Sequence, residues 1–375
     1  MTLMRGGSMK TESNMKYFIR EILSPDIVAY SHKNAGGKAR EDINAIFENA
    51  GFQPVDFRYF EEERQSKPLP ARLYWHFSIF KKWGERLSCV KAGDTLFIQF
   101  PISEHSLFQA SFFKKMVKRG VKVVLIVHDL STLREKQRLD TSKMKKLRYT
   151  IEEVNMIKVC SKVIVHNDVM ANYVEQELKI PKEKIVSLKI FDYLIVDWNE
   201  ELAKKRGLSL DKPIVIAGNF LRYKAGYVYV LPDNYHYQLY GMNYDGEPKE
   251  NINYGGAVMP EELPYKMSGS FGLVWDGERS DTCSGIYGNY LKINNPHKTS
   301  LYIASELPVI IWKEAALAPF VTENGLGIAV DSLEEIPEMI SKLSEADYLQ
   351  MQDSLKEFGK RLRTGQYTLD AVRDC

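Results

Sequence analysis

The sequence predicts an α/β protein with parallel sheets, arranged as two Rossmann-like halves that face a cleft. Short apolar runs of strand character alternate with helical patterns along the whole chain, which is the mark of βαβ units. The alternation is interrupted once, by the polar stretch Asp197 to Lys212, and restarts at Pro213. The 375 residues also exceed what one hydrophobic core usually organises, so two domains are expected.

In the first half the strands fall at Ile27–Ser31, Gln53–Tyr59, Thr95–Phe100, Lys122–Val127, Lys162–Val165 and Ile185–Ile190. Helices fit between them at Lys38–Ala50, Leu73–Leu87, Leu107–Arg119, Ser142–Val159 and Val169–Leu178. Leu107, Ala110, Ser111 and Phe113 to Val117 recur at helical spacing and give one of these a core face. Residues 1 to about 16 are polar, contain Gly6-Gly7-Ser8 and read as an extension outside the fold. In the second half the strands are Pro213–Ala217, Tyr235–Leu239, Gly272–Trp275, Pro308–Ile311 and Gly327–Val330. Helices fit His297–Ser305, Lys313–Asn324 and Ser332–Leu343, and Glu345 to Leu362 forms a last amphipathic helix. The chain therefore divides into residues 17–196, 197–344 and a C-terminal helical segment, 345–375.

Composition narrows the function by exclusion. A net charge of +2, with 44% hydrophobic and 27% charged residues, describes an ordinary globular protein with no electrostatic footprint for nucleic acid. No apolar run reaches the length of a bilayer and no secretory signal is visible. Cys89, Cys160, Cys283 and Cys375 form no metal-like spacing, so they read as reduced thiols in a cytoplasmic protein without a zinc site. Cys283, in Asp281-Thr282-Cys283-Ser284-Gly285, offers a nucleophile, but a free cysteine is more often a small buried hydrophobe.

In open α/β sheets ligands bind beyond the carboxyl ends of strands, so the strand ends supply the site candidates. The most informative segment is Asn294-Asn295-Pro296-His297-Lys298-Thr299-Ser300. Asn295 reads as an N-cap and Pro296 as the first helical residue, so the helix start presents free amides and a positive dipole end to an anion. Lys298, Thr299 and Ser300 add a charge and two hydroxyls suited to a diphosphate, although capping alone also accounts for Asn-Pro. Because a lysine there lies against the positive helix end, its removal is expected to leave stability unchanged or slightly raised. Gly218 to Lys224 follows a strand, with Asn219, Arg222 and Lys224 placed for phosphate oxygens or simply exposed on a turn. Gly36-Gly37 permits a tight positive-φ turn whose amides face a ligand, but it is not GxGxxG and lacks a ribose-binding acid, which disfavours a nicotinamide dehydrogenase. His128-Asp129 and His166-Asn167 each follow a strand. Asp129 is the candidate general base for an acceptor hydroxyl, with His128 as its alternative or as a sugar contact; a loop cap is the bland reading. Trp275-Asp276-Gly277-Glu278 opens a loop through Tyr290 that either shapes a sugar or base pocket or is a plain Asp-Gly turn.

These segments carry a resemblance. Phe271 to Gly277, Thr282 to Gly285, Gly288 to Lys292 and Asn294 to Tyr302 are very similar to bacterial β-1,6-galactofuranosyltransferases of O-antigen synthesis, and to streptococcal glucosyltransferases that extend GlcNAc on serine-rich adhesins. Asn34-Ala35-Gly36, Lys38-Ala39-Arg40, His128-Asp129, His166-Asn167, Ile190 to Leu194 and Ala217-Gly218-Asn219 continue it over nearly the whole chain. The resemblance implies a GT-B fold, with an acceptor approached from residues 17–196 and a UDP-hexose donor held mainly by residues 197–344. It implies no obligatory metal or other cofactor, and a C-terminal helix that crosses back to the first domain. The expected donor contacts are Gly36, Gly37, Asn219, Arg222, Lys224, Asp276, Asn295, His297, Lys298 and Thr299, with Asp129 and His128 catalytic. The basic helical segment Arg134 to Arg148 is an insertion relative to the galactofuranosyltransferases and bears on acceptor identity.

The function that follows is hexosyl transfer, of galactofuranose or glucose, from a UDP-sugar to a hydroxyl of a glycan or glycoprotein acceptor in bacterial surface polysaccharide or glycoprotein synthesis. Glucosylation of a GlcNAc-bearing adhesin is the alternative within the enzyme class. A catalytically silent GT-B-like partner of another transferase is the alternative outside it, disfavoured because Arg222, Lys224 and Lys298 are all present. Self-associating relatives leave a homo-oligomer open. Contact with a membrane would be peripheral, at the inner face, through Lys143 to Arg148, for which a solvated helix face is the simpler account.

Overall fold

The computed structural model describes residues 14–22, 35–58, 68–103, 108–134, 147–148 and 150–375. The first domain runs β1 (Lys16–Ile22), α1 (Ala35–Asn49), β2 (Gln53–Arg58), α2 (Leu69–Arg86), β3 (Thr95–Phe100), α3 (Gln109–Lys118), β4 (Lys122–Val127), α4 (Ser131–Arg134), α5 (Asn155–Val159), β5 (Lys162–Val165), α6 (Asp168–Gln176) and β6 (Ile185–Ser187). Its six strands are all parallel, in the order β2-β1-β3-β4-β5-β6. Five of the six residues of β4 are buried, as a strand covered by helices on both faces requires. On one face Phe47 of α1 stacks on Phe52 at 4.9 Å, and Phe52 on Phe97 at 5.3 Å. On the other, Trp83 of α2 packs against Phe112 and Phe113 of α3 at 5.7 and 5.4 Å.

The second domain runs α7 (Glu200–Lys204), β7 (Ile214–Asn219), α8 (Arg222–Ala225), β8 (Tyr237–Met242), β9 (Ile252–Tyr254), α9 (Leu263–Lys266), β10 (Gly272–Val274), α10 (Gly285–Tyr290), α11 (His297–Ala304), β11 (Val309–Trp312), α12 (Ala318–Glu323), β12 (Gly327–Val330) and α13 (Ile336–Ser341). Its parallel sheet has the order β12-β11-β10-β7-β8-β9, the doubly wound arrangement of dinucleotide-binding domains. The strand order reverses between β7 and β10, and the crevice at their carboxyl ends is where such a sheet takes a ligand.

Helix α11 is buried from Thr299 to Ala304 because it lies hard against the sheet. Gly272 of β10 makes this possible: a Cβ there would stand 2.3 Å from the Tyr302 ring. Tyr302 in turn accepts a hydrogen bond from the Ala217 amide at 2.8 Å, which ties α11 to β7. The chain ends in α14 (Glu345–Arg363) and α15 (Gln366–Arg373). A Ser344–Asp347 capping box starts α14, which packs on α11. Helix α15 lies against α1, and the Tyr367 and Thr368 amides donate to Asp192 at 3.2 and 2.7 Å. One apolar cluster runs from Phe18, Ile43 and Phe47 through Ile190 and Tyr193 to Tyr348 and Tyr367, so the two sheets share a core at this face.

Several expectations need correction. The first strand is Lys16–Ile22, and Met15 donates its amide to Asp94 at 3.0 Å, so the fold begins inside the segment read as an extension. Its KYFIREI sequence is broken by Arg20-Glu21 and carries less apolar signal than Ile27–Ser31, which lies outside the described residues. Gly36 and Gly37 sit in the first helical turn of α1 rather than in a positive-φ turn. The helix expected over Lys313–Asn324 is confined to Ala318–Glu323, with Pro319 in its first turn. Strand β9, too short to read from periodicity, was not anticipated, and the C-terminal segment 345–375 is two helices rather than one. Of the segment Arg134 to Arg148, only Arg134, Leu147 and Arg148 are described.

Candidate active site

The first domain supplies one wall through the ends of β4 and β5. The His128 amide donates to the Phe100 carbonyl at 2.8 Å, and its ring lies 5.4 Å from Phe191 in a stacked arrangement. Its Nε2 is 2.7 Å from Gln99 Oε1. The Gln99 amide nitrogen already donates to the Arg40 carbonyl and to Asn44 Oδ1, so its oxygen must accept and His128 Nε2 carries the proton. Burial, then the charge of Arg40, holds the imidazole well below its ordinary pKa and hence neutral. Arg40 is pinned in place by Glu21 and the Pro101 carbonyl at 3.2 and 2.6 Å.

Asp129 is bracketed. One carboxylate oxygen takes a very short bond from Arg134, and the other accepts from Tyr290 of the second domain at 2.8 Å. The Ser131 and Thr132 amides, at the start of α4, donate to Glu153 at 2.8 Å each, which holds the Asp129 turn.

At the end of β5, Asn167 caps α6 through the Met170 amide at 2.9 Å. Its Nδ2 donates to Asn295 Oδ1 at 2.7 Å and to the Ile293 carbonyl at 3.0 Å. Asn295 returns its amide to His166 Nδ1 at 2.9 Å and its Nδ2 to the His166 and Lys189 carbonyls at 2.6 and 3.1 Å. Asn295 is therefore not the N-cap of α11; Pro296 occupies that position. Both Nδ2 hydrogens of Asn295 and one lone pair of its Oδ1 go into fastening the domains together. A cap signature and a domain clasp use the same residue type, and only tertiary contacts separate them.

The start of α11 remains a polar cradle. The hydroxyls of Thr299 and Ser300, His297 Nδ1 and Asn294 Oδ1 are buried with no hydrogen-bond partner among the described residues. Thr299 and Ser300 lie within the packing against the sheet, and the Thr299 amide already donates to the Pro296 carbonyl at 2.9 Å, so of the first-turn amides those of His297 and Lys298 are left to an anion. His297 Nε2 contacts the Asp192 carbonyl at 3.2 Å, and burial lowers the His297 pKa to about 4.

The basic residues divide differently from expectation. Lys298 is not a free cation at the helix end: its Nζ donates to the Trp275 carbonyl at 2.7 Å and to Asp276 at 2.8 Å, in a pair whose side chains are 15% and 10% exposed. Removing it would strand Asp276, so the expectation of unchanged or raised stability is corrected. Arg222 is paired at the surface with Asp245 at 3.0 Å, its guanidinium lying 3.9 Å over the Tyr229 ring. Asn219 is taken up by Asn243 at 2.9 Å and the Leu221 amide at 3.3 Å. Lys224 forms no ion pair among the described residues; burial lowers its pKa, Asp276 raises it, and Lys298 and Arg134 lower it further. Lys224, Lys298 and Arg134 thus share one field with Asp276. Cys283 is buried, and burial pushes its thiol well up, which removes it as a nucleophile.

Gln99 was not anticipated at the site, and Arg40, Arg134 and Tyr290 were expected only as members of longer segments, without the contacts to His128 and Asp129 seen here. Gln99 had a signal, as the lone polar residue inside an apolar strand, and Arg40 belongs to the Lys38-Ala39-Arg40 block. Among the described residues no group of three or more His, Cys, Asp or Glu could hold a metal ion, and no helix is long and apolar enough to cross a membrane.

Two family models match the chain: the N-terminal domain of Glucosyltransferase 3-like proteins over residues 16–190, and the C-terminal domain over residues 214–375. The chain is 32% identical to the β-1,6-galactofuranosyltransferase WbbI of Escherichia coli (strain K12) over 367 residues, covering 96% of this chain and 97% of that one. It is 24% identical to Glucosyltransferase 3 of Streptococcus gordonii, covering 90% and 92%. Among solved structures, a sucrose-phosphate synthase from Thermosynechococcus elongatus superposes with a TM-score of 0.59 at 12% identity, covering 96% of this chain and 98% of that one, which speaks to the fold.

Proposed function

The chain belongs to the Glucosyltransferase 3-like family and is a glycosyltransferase of the GT-B fold, and from that premise we propose that it moves a hexose from a UDP-sugar to a hydroxyl of a glycan acceptor. The observation that supports this reading is the start of α11 at the reversal point of the second sheet, with Lys224 in the same field as the Lys298–Asp276 pair. A diphosphate there receives the helix dipole, the first-turn amides and the Lys224 ammonium, the charge of Lys298 being answered by Asp276. Those groups can stand in for a divalent cation as counter-charge, so no metal is required. The acceptor hydroxyl faces Asp129 across the cleft. As its oxygen attacks the anomeric carbon its proton passes to the carboxylate, the bond from that carbon to the diphosphate breaks, and UDP leaves with its charge held by α11 and Lys224.

The test is UDP titration by thermal shift with EDTA present, then transfer assays with UDP-glucose, UDP-galactofuranose and UDP-galactopyranose. The proposal expects stabilisation by UDP without metal, and turnover of one of these donors. Stabilisation that appears only with magnesium or manganese overturns the metal-free site, and no turnover of any UDP-hexose overturns the donor class.

A further inference from the structure

Tyr290 belongs to the second domain by sequence but to the first by burial. It is 8% exposed and packs in the core cluster that holds Leu130, Leu133 and Met156. Its hydroxyl donates to Asp129 Oδ1 at 2.8 Å and accepts from the Leu130 amide at 3.3 Å, so both the hydrogen and a lone pair of the phenol are committed. Burial, then the Asp129 charge, keeps the phenol well above its ordinary pKa, so it remains a donor throughout the working range.

The other groups facing Asp129 are Arg134 on α4, which takes its second oxygen, Arg40 on α1, which lies within range of its charge, and the neutral His128 beside it. Glu153 is occupied by the Ser131 and Thr132 amides. Arg134 and Tyr290 therefore fix the two oxygens of Asp129 from opposite domains.

Helix α10, which carries Tyr290, is itself seated on the donor side. Gly288 allows it: a Cβ there would lie 2.9 Å from the Asp276 carbonyl oxygen and 2.6 Å from the Cys283 carbonyl carbon. The carboxylate of that same Asp276 holds Lys298 at 2.8 Å. A short packed path thus runs from Lys298 and Asp276 through α10 to Asp129.

We infer that Tyr290 is a positioning residue for the acceptor base: reaching across from the donor domain, it orients the Asp129 carboxylate, and does so only while α10 is seated against the first domain. This deepens the proposed function and rests on its reading of Asp129 as base. A hydrogen bond donated to a carboxylate favours the ionised form that accepts a proton, and its loss both frees the rotamer and disfavours that form. A merely structural tyrosine would alter stability and leave the pH profile in place.

The experiment compares wild type, Tyr290→Phe, Asp129→Asn and the double variant, reading kcat and KM for transfer, the acid limb of the kcat/KM profile, UDP affinity and Tm. Tyr290→Phe keeps the ring in the core. It should lower kcat about tenfold and move the acid limb to higher pH, the loss of one hydrogen bond to a charged group, with UDP affinity within about twofold of wild type. On the Asp129→Asn background the same substitution should cost nothing further in kcat. If Asp129→Asn abolishes transfer while Tyr290→Phe leaves both kcat and the acid limb unmoved, the positioning role is overturned and the base stands. If Asp129→Asn turns over normally, it is the reading of Asp129 as base that fails. If Tyr290→Phe is equally damaging on both backgrounds, its role is structural and the inference falls.

Discussion

Replacing Lys298 with methionine keeps the aliphatic length of the side chain and removes only its ammonium. In the folded protein that ammonium answers the Trp275 carbonyl and the Asp276 carboxylate, at 2.7 and 2.8 Å, in a pair nearly out of solvent. Deleting one member of a buried pair strands the other, at about 3–5 kcal/mol. Here the penalty is reduced by the residual exposure of both side chains and by Lys224, whose charge also reaches Asp276, which leaves about 2–3 kcal/mol. For a domain of this size the melting temperature should fall by about 4–12 °C. The assay is thermal unfolding of the ligand-free protein, run in parallel on Lys298→Met, Asp276→Asn and the double variant. The double variant removes the stranded charge and should recover most of the loss. A Lys298→Met protein that melts within about 1 °C of wild type, or a double variant no better than the single, would refute the idea that this lysine is held by Asp276 rather than waiting for a ligand.

Further expectations follow from the same site. Lys224→Met breaks no ion pair, so it should leave Tm close to wild type while weakening UDP about ten- to a hundredfold, the loss of one charge-assisted contact, measured by calorimetry; unaltered affinity would place the diphosphate elsewhere. His166 must be neutral to accept the Asn295 amide, and burial lowers its pKa from 6.5 to about 4. Its contribution to stability is present above pH 6.5 and drains as pH falls toward 4, by at most about 3 kcal/mol, so His166→Gln should flatten the stability–pH curve in that window. Denaturant titrations at pH 7, 5.5 and 4.5 would show an unchanged slope if the reasoning is wrong. Under native conditions a maleimide should label exposed Cys89 well before buried Cys160 and Cys283, as read by peptide mass spectrometry; early labelling of Cys283 would contradict its burial.

How far the sequence reaches can be judged residue by residue. The parallel strands Thr95–Phe100, Lys122–Val127, Lys162–Val165 and Gly327–Val330 are mainly apolar runs bounded by turns, and their limits were legible because burial in a covered sheet writes itself into composition. The start of α11 was legible for a related reason: Pro296, a helical run and two hydroxyls imply a helix N-terminus wherever the segment sits. The rule that strand ends make sites then brought His128, Asp129 and Asp276 forward without any knowledge of the fold.

What the tertiary structure alone decided is who partners whom. Asn295 looked like a cap and is a clasp, because His166, Asn167 and Lys189 lie more than a hundred residues before it and meet it only across the domain interface. Lys298 looked free and is paired; Arg222, read as a phosphate contact, pairs at the surface with Asp245 and lies over the Tyr229 ring. Tyr290 sits in a short helix with no periodicity to mark it, yet it shares its hydrogen with a carboxylate 161 residues earlier. Periodicity and capping are local signals that reach one turn or one strand along the chain. Charge pairing and hydrogen-bond satisfaction are settled by whatever the fold brings within about 3 Å, and sequence separation carries no trace of that.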